Sequence, residues 1–419
     1  MTRYTVSKNI LSVVNKIILL RNEFFKLADK YKTPFYVYDQ KSLDKDIKTF
    51  ITAFQKHIPD FQPYYALKLN HHPYIIREAV KRGMGLDVAS ARELNIALKA
   101  GTKKIVYYSP AKSYHDLKMA LNHADKVRLH IDSFNELKRL GRLANKRKKR
   151  IECGVRIHMA LQGDWTKYGI PLKSLKDFWK EANRYSFLDL NGIHFHQSRN
   201  KTSSYYRDTI RDLASYLKWN FPDDQLGKIK YIDFGGGFES SANEGIIKQS
   251  KSGWPKYVIR QASTIEEYAQ NIGNAIKKYL APLINATYLS EPGRYICNGA
   301  MHILLSVSDI KEDKNCILNG GVNMVGWQRF KTEYFPIINL SHPSKRERKF
   351  KMWGNLCTTW DIWGYYYYGK KLRDKDIIVV PNQGALTYSL AQTFINNIPK
   401  VYRLKYTHEK RTKNNTGGY

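Results

Sequence analysis

The chain alternates between two patterns. Short runs of Val, Ile, Leu, Phe and Tyr recur from residue 35 onward, and the stretches between them carry apolar residues at helical spacing. The first run is Phe35-Tyr36-Val37-Tyr38-Asp39, and eight more follow at 64–68, 85–90, 105–109, 127–132, 154–158, 192–197, 229–234 and 287–291. Amphipathic stretches such as 73–81, 91–100 and 203–219 lie between them. Eight strand–helix units predict a (β/α)8 barrel; an open doubly wound sheet is the alternative that periodicity leaves standing. After Arg294 the helices drop out. Runs at 303–307, 316–318, 335–340, 350–353, 377–380 and 401–404 predict an antiparallel β-domain. Residues 10–20 read as an amphipathic helix. The expected division is therefore 1–40, an N-terminal helix and strand packing on the β-domain; 41–290, the barrel; 291–406, the β-domain; and 407–419, a polar, basic tail.

Composition narrows the class. A chain of 419 residues with 42% apolar content can fold as two domains with sizeable cores. Its four cysteines (Cys153, Cys297, Cys316 and Cys357) form no CxxC pair, so neither a disulfide framework nor a zinc site is expected, and a reducing, cytoplasmic setting fits. Asn15 and Lys16 interrupt the first apolar stretch and no small-residue cleavage site follows, which argues against a signal peptide. No run reaches the length of a membrane span. The net charge of +33 should attract anions. The densest basic runs, 146–150 and 345–349, fall at loops or helix ends. They lack zinc-finger spacing and an aromatic-glycine RNA signature, so nucleic acid is not the expected partner.

In a barrel, chemistry gathers at the C-terminal ends of the strands. Here those ends read Lys68, Asp87, Ser109, Asp132, Arg156, His196, Gly235 with Gly236 and Gly237, and Glu291 with Arg294. Each has an ordinary explanation alone: Lys68 as a loop residue, Asp87 as a helix cap, His196 as a core histidine, Arg156 as half of an ion pair. A rim that is polar at every strand is harder to explain that way. Asp233-Phe234-Gly235-Gly236-Gly237 is the clearest anion signal, because glycines let backbone N–H groups approach a phosphate. Gly293 and Arg294 could complete the cradle. A lysine, a phosphate cradle and an inward carboxylate together suggest pyridoxal 5'-phosphate: lysine for the cofactor aldehyde, carboxylate for the ring nitrogen, a histidine against the ring face.

At this point the chain resembles the fold-type III pyridoxal-phosphate decarboxylases, the group of diaminopimelate, ornithine and arginine decarboxylases, from about residue 34 to about residue 404. The motifs, in family order, are Tyr65-Ala66-Leu67-Lys68-Leu69-Asn70, Gly85-Leu86-Asp87-Val88-Ala89-Ser90, His194-Phe195-His196, the Asp233 glycine run, Glu291-Pro292-Gly293-Arg294, Gly354-Asn355-Leu356-Cys357 with Asp361, and Gly384-Ala385. The resemblance implies an alanine-racemase-like barrel followed by a β-domain, with Lys68 as the Schiff-base lysine, His196 stacked on the ring and Glu291 at the pyridine nitrogen. It further implies phosphate binding by Gly235, Gly236, Gly237, Gly293 and Arg294, support from Asp87 and Arg156, and proton donation by Cys357 across a homodimer with shared active sites.

Four positions depart from the family. Thr358 stands where an acid follows the cysteine, and Leu318-Asn319-Gly320-Gly321 lacks another acid, leaving Asp361. Leu386 replaces a phosphate-contacting tyrosine, for which Tyr388 is the nearest substitute. Gln197-Ser198-Arg199-Asn200 lacks the usual Gly-Ser, so Ser198 is the remaining candidate phosphate ligand there. These changes bear on the far end of the substrate pocket, for which Asn319, Thr358 and Asp361 are the expected residues. A buried ammonium without a carboxylate is costly, so a substrate whose far end is neutral, acylated or anionic is favoured. The Leu-Cys-Thr arrangement also resembles decarboxylases of carboxylate-siderophore pathways that act on citrate-linked diamino acids. The competing readings are a racemase on the same fold, which would place an Arg instead of Glu291 at the ring nitrogen, and a non-catalytic binding or regulatory homologue, which would have lost Lys68 or Cys357.

Overall fold

The computed structural model describes residues 8–159, 165–198, 200, 202–239, 245–248, 254–259, 262–326 and 333–406. The expected tail at 407–419 and Arg199 lie outside the described residues.

Eight parallel strands form the larger body: Phe61–Ala66, Gly85–Val88, Ile105–Tyr108, Val127–Ile131, Ile151–His158, Leu188–His194, Tyr231–Asp233 and Thr287–Ser290. They are called barrel strands one to eight below. Strand eight pairs in parallel with strand one, Tyr288 opposite Phe61, so the sheet closes and the open-sheet alternative is excluded. The residue pattern fits burial on both faces. Strands such as Phe61–Ala66 and Ile105–Tyr108 are apolar almost throughout, as a strand must be when helices cover one face and a filled interior the other.

The helices start where side-chain oxygens can take up the free N–H groups of a first turn. Ser90 accepts from the Glu93 N–H and Ser133 from the Glu136 N–H. Ser113 and Thr264 form reciprocal caps with Asp116 and Glu267. Capping by Ser90 leaves Asp87, three residues earlier on the strand, available for another partner.

The second body is a mixed sheet of eight strands: Phe35–Tyr38, Met301–Lys311, Asn315–Leu318, Ile338–Asn339, Glu347–Trp353, Ile362–Tyr368, Ile377–Val380 and Val401–Arg403. The expectation of an antiparallel domain is corrected here. Phe35–Tyr38 runs parallel to Val401–Arg403, and Asn315–Leu318 runs parallel to Glu347–Trp353. Long Met301–Lys311 pairs with Ile377–Val380 over its first half and with Asn315–Leu318 over its second, which curls six of the strands into a closed ring. Strand Ile362–Tyr368 had no sequence-level expectation; four consecutive aromatic-rich positions ending in Tyr365, Tyr366, Tyr367 and Tyr368 hide any alternation. Helices Lys8–Leu19 and Arg21–Lys30 lay Ile10, Val14, Ile17, Phe24 and Leu27 against Phe35, Val37, Leu304 and Val379 of this sheet. A three-stranded sheet, Gly245–Lys248, Lys256–Ile259 and Glu333–Tyr334, joins a segment inserted after strand seven to the β-domain chain.

Candidate active site

Strand register brings one polar group from each of several strands to the same rim. Lys68 sits in a short 3-10 turn, Leu67–Leu69, directly after strand one. Its Nζ lies 3.3 Å from Asp87 Oδ2, and the Lys68 side chain is 41% exposed while that of Asp87 is buried. Strands one and two hold this pair together, because Ala66 is registered opposite Asp87. Desolvation alone would lower the Lys68 ammonium, but the Asp87 and Glu291 carboxylates outweigh it and raise its pKa. Burial, reinforced by the Glu291 charge, pushes Asp87 up to about 7 despite the lysine.

Glu291 follows strand eight and is buried. Its Oε1 lies 3.6 Å from His194 Nε2 and its Oε2 lies 3.6 Å from His196 Nδ1. Burial raises a carboxyl, yet the two imidazoles and Lys68 win and hold Glu291 well below the usual carboxylate range. Glu291 is therefore an anion inside the barrel, which is what a protonated ring nitrogen requires beside it. Arg156, from strand five, donates to the His196 carbonyl at 3.1 Å and lies over the Tyr108 and Tyr168 rings. It fixes the His196 backbone and adds positive charge to the rim.

The glycine run is built for close approach. A Cβ at Gly236 would meet the Glu291 carbonyl at 2.2 Å, and Gly237 has φ +98°. The expected phosphate cradle nonetheless needs correction. The Gly235 N–H donates to Asp233 Oδ1 at 2.8 Å and the Gly236 N–H donates to His196 Nδ1 at 2.9 Å. Both donors are spent inside the protein, because Asp233 closes a tight turn on its own strand end and His196 crosses over from strand six. Gly293 and Arg294 stand at the start of the short helix Arg294–Cys297. Ser198 is exposed on the loop after strand six.

Tyr388, the expected substitute for the missing tyrosine, lies beside the Lys68 turn. Asn70 Nδ2 donates to the Gly384 carbonyl at 2.8 Å, and the Leu386 N–H donates to the Leu69 carbonyl at 2.8 Å. These bonds bring the Tyr388 ring to 5.1 Å from His72, beside the Lys68 turn.

The residues expected at the far end of the pocket lie on β-domain loops. Asp361 is buried, and its two oxygens accept from the Val322 N–H at 2.7 Å and the Leu356 N–H at 2.6 Å. Asn319 accepts from the Ser306 N–H and donates to the Thr33 carbonyl and hydroxyl. Through these bonds both side chains brace β-domain loops. Thr358 is half-buried and its hydroxyl accepts from the Trp360 N–H. Cys357 is exposed, unlike Cys153, Cys297 and Cys316.

Sequence reasoning did not assign a role to His130, His194 or the Asp233 carboxylate. These three and Glu291 each offer a ligand-type atom within 4.8 Å of the others, all buried. The available signal was alternation: Arg128, His130 and Asp132 are polar at every second position of a strand that otherwise reads as core. Another missed pair is Lys112–Glu136, at 2.8 Å and buried.

Comparison with known proteins places the chain in a family. The family profile of the pyridoxal-dependent decarboxylases, pyridoxal binding domain, matches residues 44–298. The chain is 25% identical over 394 residues to the diaminopimelate decarboxylase of Methanothermobacter thermautotrophicus, covering 90% of this chain and 87% of that one. It is 25% identical over 412 residues to the lysine/ornithine decarboxylase of Selenomonas ruminantium, covering 94% and 98%. The crystal structure of the diaminopimelate decarboxylase of Methanocaldococcus jannaschii superposes with a TM-score of 0.78 at 24% identity, covering 90% and 88%.

Proposed function

Since the chain belongs to the family of fold-type III, pyridoxal-phosphate-dependent amino acid decarboxylases, we propose that its substrate is a diamino acid or a derivative of one, such as a citryl conjugate. Pyridoxal 5'-phosphate, when bound, supplies the electron sink that accepts the pair left at Cα as carbon dioxide departs. Everything else falls to the protein.

Lys68 holds the cofactor covalently through its amine, and Asp87 keeps that amine aimed. Glu291 keeps the ring nitrogen protonated. The Gly237 N–H, Gly293, Arg294 and Tyr388 serve the phosphate end. Cys357 returns a proton to Cα. It is exposed on its own subunit, which suits a thiol that serves the site of a second copy. Trp360, Leu390, Phe394 and Ile395 are exposed around it, and Asn396 Nδ2 ties their segment to the Cys357 loop through Asn355 Oδ1 at 3.0 Å. Exposed apolar side chains grouped in this way support a homodimer with shared sites.

The observation that carries the reading is the buried Glu291, 3.6 Å from His194 and from His196, across from the Lys68–Asp87 pair. Substrate class rests on the other end. Asp361 is committed to backbone groups and Thr358 carries no charge, so neither offers a carboxylate to a distal ammonium. A substrate with a neutral or anionic far end is the one that does not need it. Carbon dioxide release from ornithine, lysine, diaminopimelate and their citryl conjugates tests this. Preference for a conjugate is expected; faster turnover of a free diamino acid would refute the substrate class, and absence of release from all of them would refute the decarboxylase reading.

A further inference from the structure

Beneath the rim, four side chains converge near the barrel axis: His130 from strand four, His194 from strand six, Asp233 from strand seven and Glu291 after strand eight. All four are buried. The His130 ring lies against the His194 ring, centroids 4.5 Å apart and planes at 29°. His130 Nε2 is 4.0 Å from Asp233 Oδ2, and His194 Nε2 is 3.6 Å from Glu291 Oε1. Among the described residues, no hydrogen bond reaches either nitrogen of either ring, Asp233 Oδ2 or Glu291 Oε1. Buried polar atoms in that state are uncommon, and this many in one cluster calls for a function.

Two imidazoles face Glu291, but only one can donate to it. His196 Nδ1 accepts from the Gly236 N–H at 2.9 Å, so the proton of the neutral ring is on Nε2. Burial also pushes the His196 imidazole down to about 3, which keeps the ring neutral at ordinary pH. His196 Nδ1 is thus no donor to Glu291 Oε2. His194 Nε2 remains, in the tautomer that leaves its Nδ1 bare.

We propose that His194 is a positioning residue for the cofactor: its Nε2–H, 3.6 Å from Glu291 Oε1, closes on that oxygen when the cofactor binds and leaves Oε2 for the ring nitrogen, while His130 stacks behind it and stops the imidazole from turning away. The inference rests on the reading of Glu291 as the ring-nitrogen partner. It adds that this carboxylate does not aim itself. Glu291 reaches the site from a turn after the strand, so without a second tether its side chain could rotate about its own torsions.

The test uses the full-length chain, freed of cofactor and titrated with pyridoxal 5'-phosphate and with its deaza analogue, in which C–H replaces the ring nitrogen. Binding is read by absorbance and equilibrium dialysis. The parent should prefer the natural cofactor. Glu291→Ala should lose that preference. His194→Phe and His194→Asn should lose it by about 10- to 100-fold, the value of one hydrogen bond to a charged group. His194→Gln, whose longer amide can still donate, should retain most of it. If Glu291→Ala loses the preference but both His194→Phe and His194→Asn retain it, or weaken both ligands equally, the inference falls and the Glu291 reading stands. If Glu291→Ala retains the preference, the reading beneath it falls as well. A divalent cation that co-purifies one-to-one and disappears in His130→Phe would also overturn the proposal, because the cation would then be the partner of Glu291 Oε1.

Discussion

The two ends of the candidate site are held by different kinds of structure. At the cofactor end, Lys68, Asp87, His194, His196 and Glu291 come from four barrel strands and form one network within a single chain. At the far end, Asn319, Cys357, Thr358 and Asp361 come from β-domain loops: Asp361 is buried, Asn319 and Thr358 are half-buried and Cys357 is exposed. Barrel strands share a register, so the residue at each C-terminal end must arrive at a common rim. Loops share nothing of the kind. A loop side chain points wherever the hydrogen bonds of its own segment send it.

That contrast can be broken at several points. The largest effect belongs to Lys68. Lys68→Ala should lower carbon dioxide release by on the order of 10³-fold and abolish the visible absorbance of protein-bound cofactor, with the circular dichroism spectrum unchanged. Cys357→Ala should come next. Its kcat should fall by roughly 10²-fold, as for loss of a proton donor, with the cofactor absorbance intact. An unchanged kcat would mean that the exposed thiol serves no site at all.

Asp361 separates brace from ligand. Asp361→Asn replaces one acceptor oxygen with an amide that faces the Leu356 or Val322 N–H. Unfolding in urea should show a loss of about 2 kcal/mol, while KM stays near the parent value. A raised KM with unchanged stability would restore Asp361 to the substrate pocket.

The smallest expected effect is a pH dependence at Asp87. Its pKa is raised, to about 7, because burial and Glu291 outweigh Lys68. The folded chain therefore holds this proton more tightly than the unfolded one. The contribution of Asp87 to stability is full below the ordinary aspartate range and is lost as pH rises toward about 7. The Tm of the cofactor-free protein should fall across that window, and Asp87→Asn should fall less. Equal slopes would show that another group sets the dependence.

Much of the barrel was legible in the chain. Its eight strands are short, apolar and separated by helices, and each strand expected from the pattern is present, within a few residues at its ends. The β-domain was only partly legible. Strand Ile362–Tyr368 carries aromatics on both faces, and the parallel pairings depend on which distant segments meet. Within the site, Lys68, Asp87 and Glu291 stood out because a charged residue at the end of an apolar strand is conspicuous. His130 and Asp233 did not, since a polar residue one or two positions earlier looks like ordinary alternation.

The sequence by itself determined the run of strands and helices, the polar rim and the residue types able to hold the cofactor. Those properties are local, set by side-chain polarity and spacing along a few residues. Tertiary structure alone decided how the hydrogen-bonding capacity of those residues is spent. It assigned the Gly235 and Gly236 N–H groups to Asp233 and His196, and Asp361 to two backbone donors. A polar atom's function depends on which partner it faces once water is excluded, and that partner is chosen by packing between strands far apart in the chain.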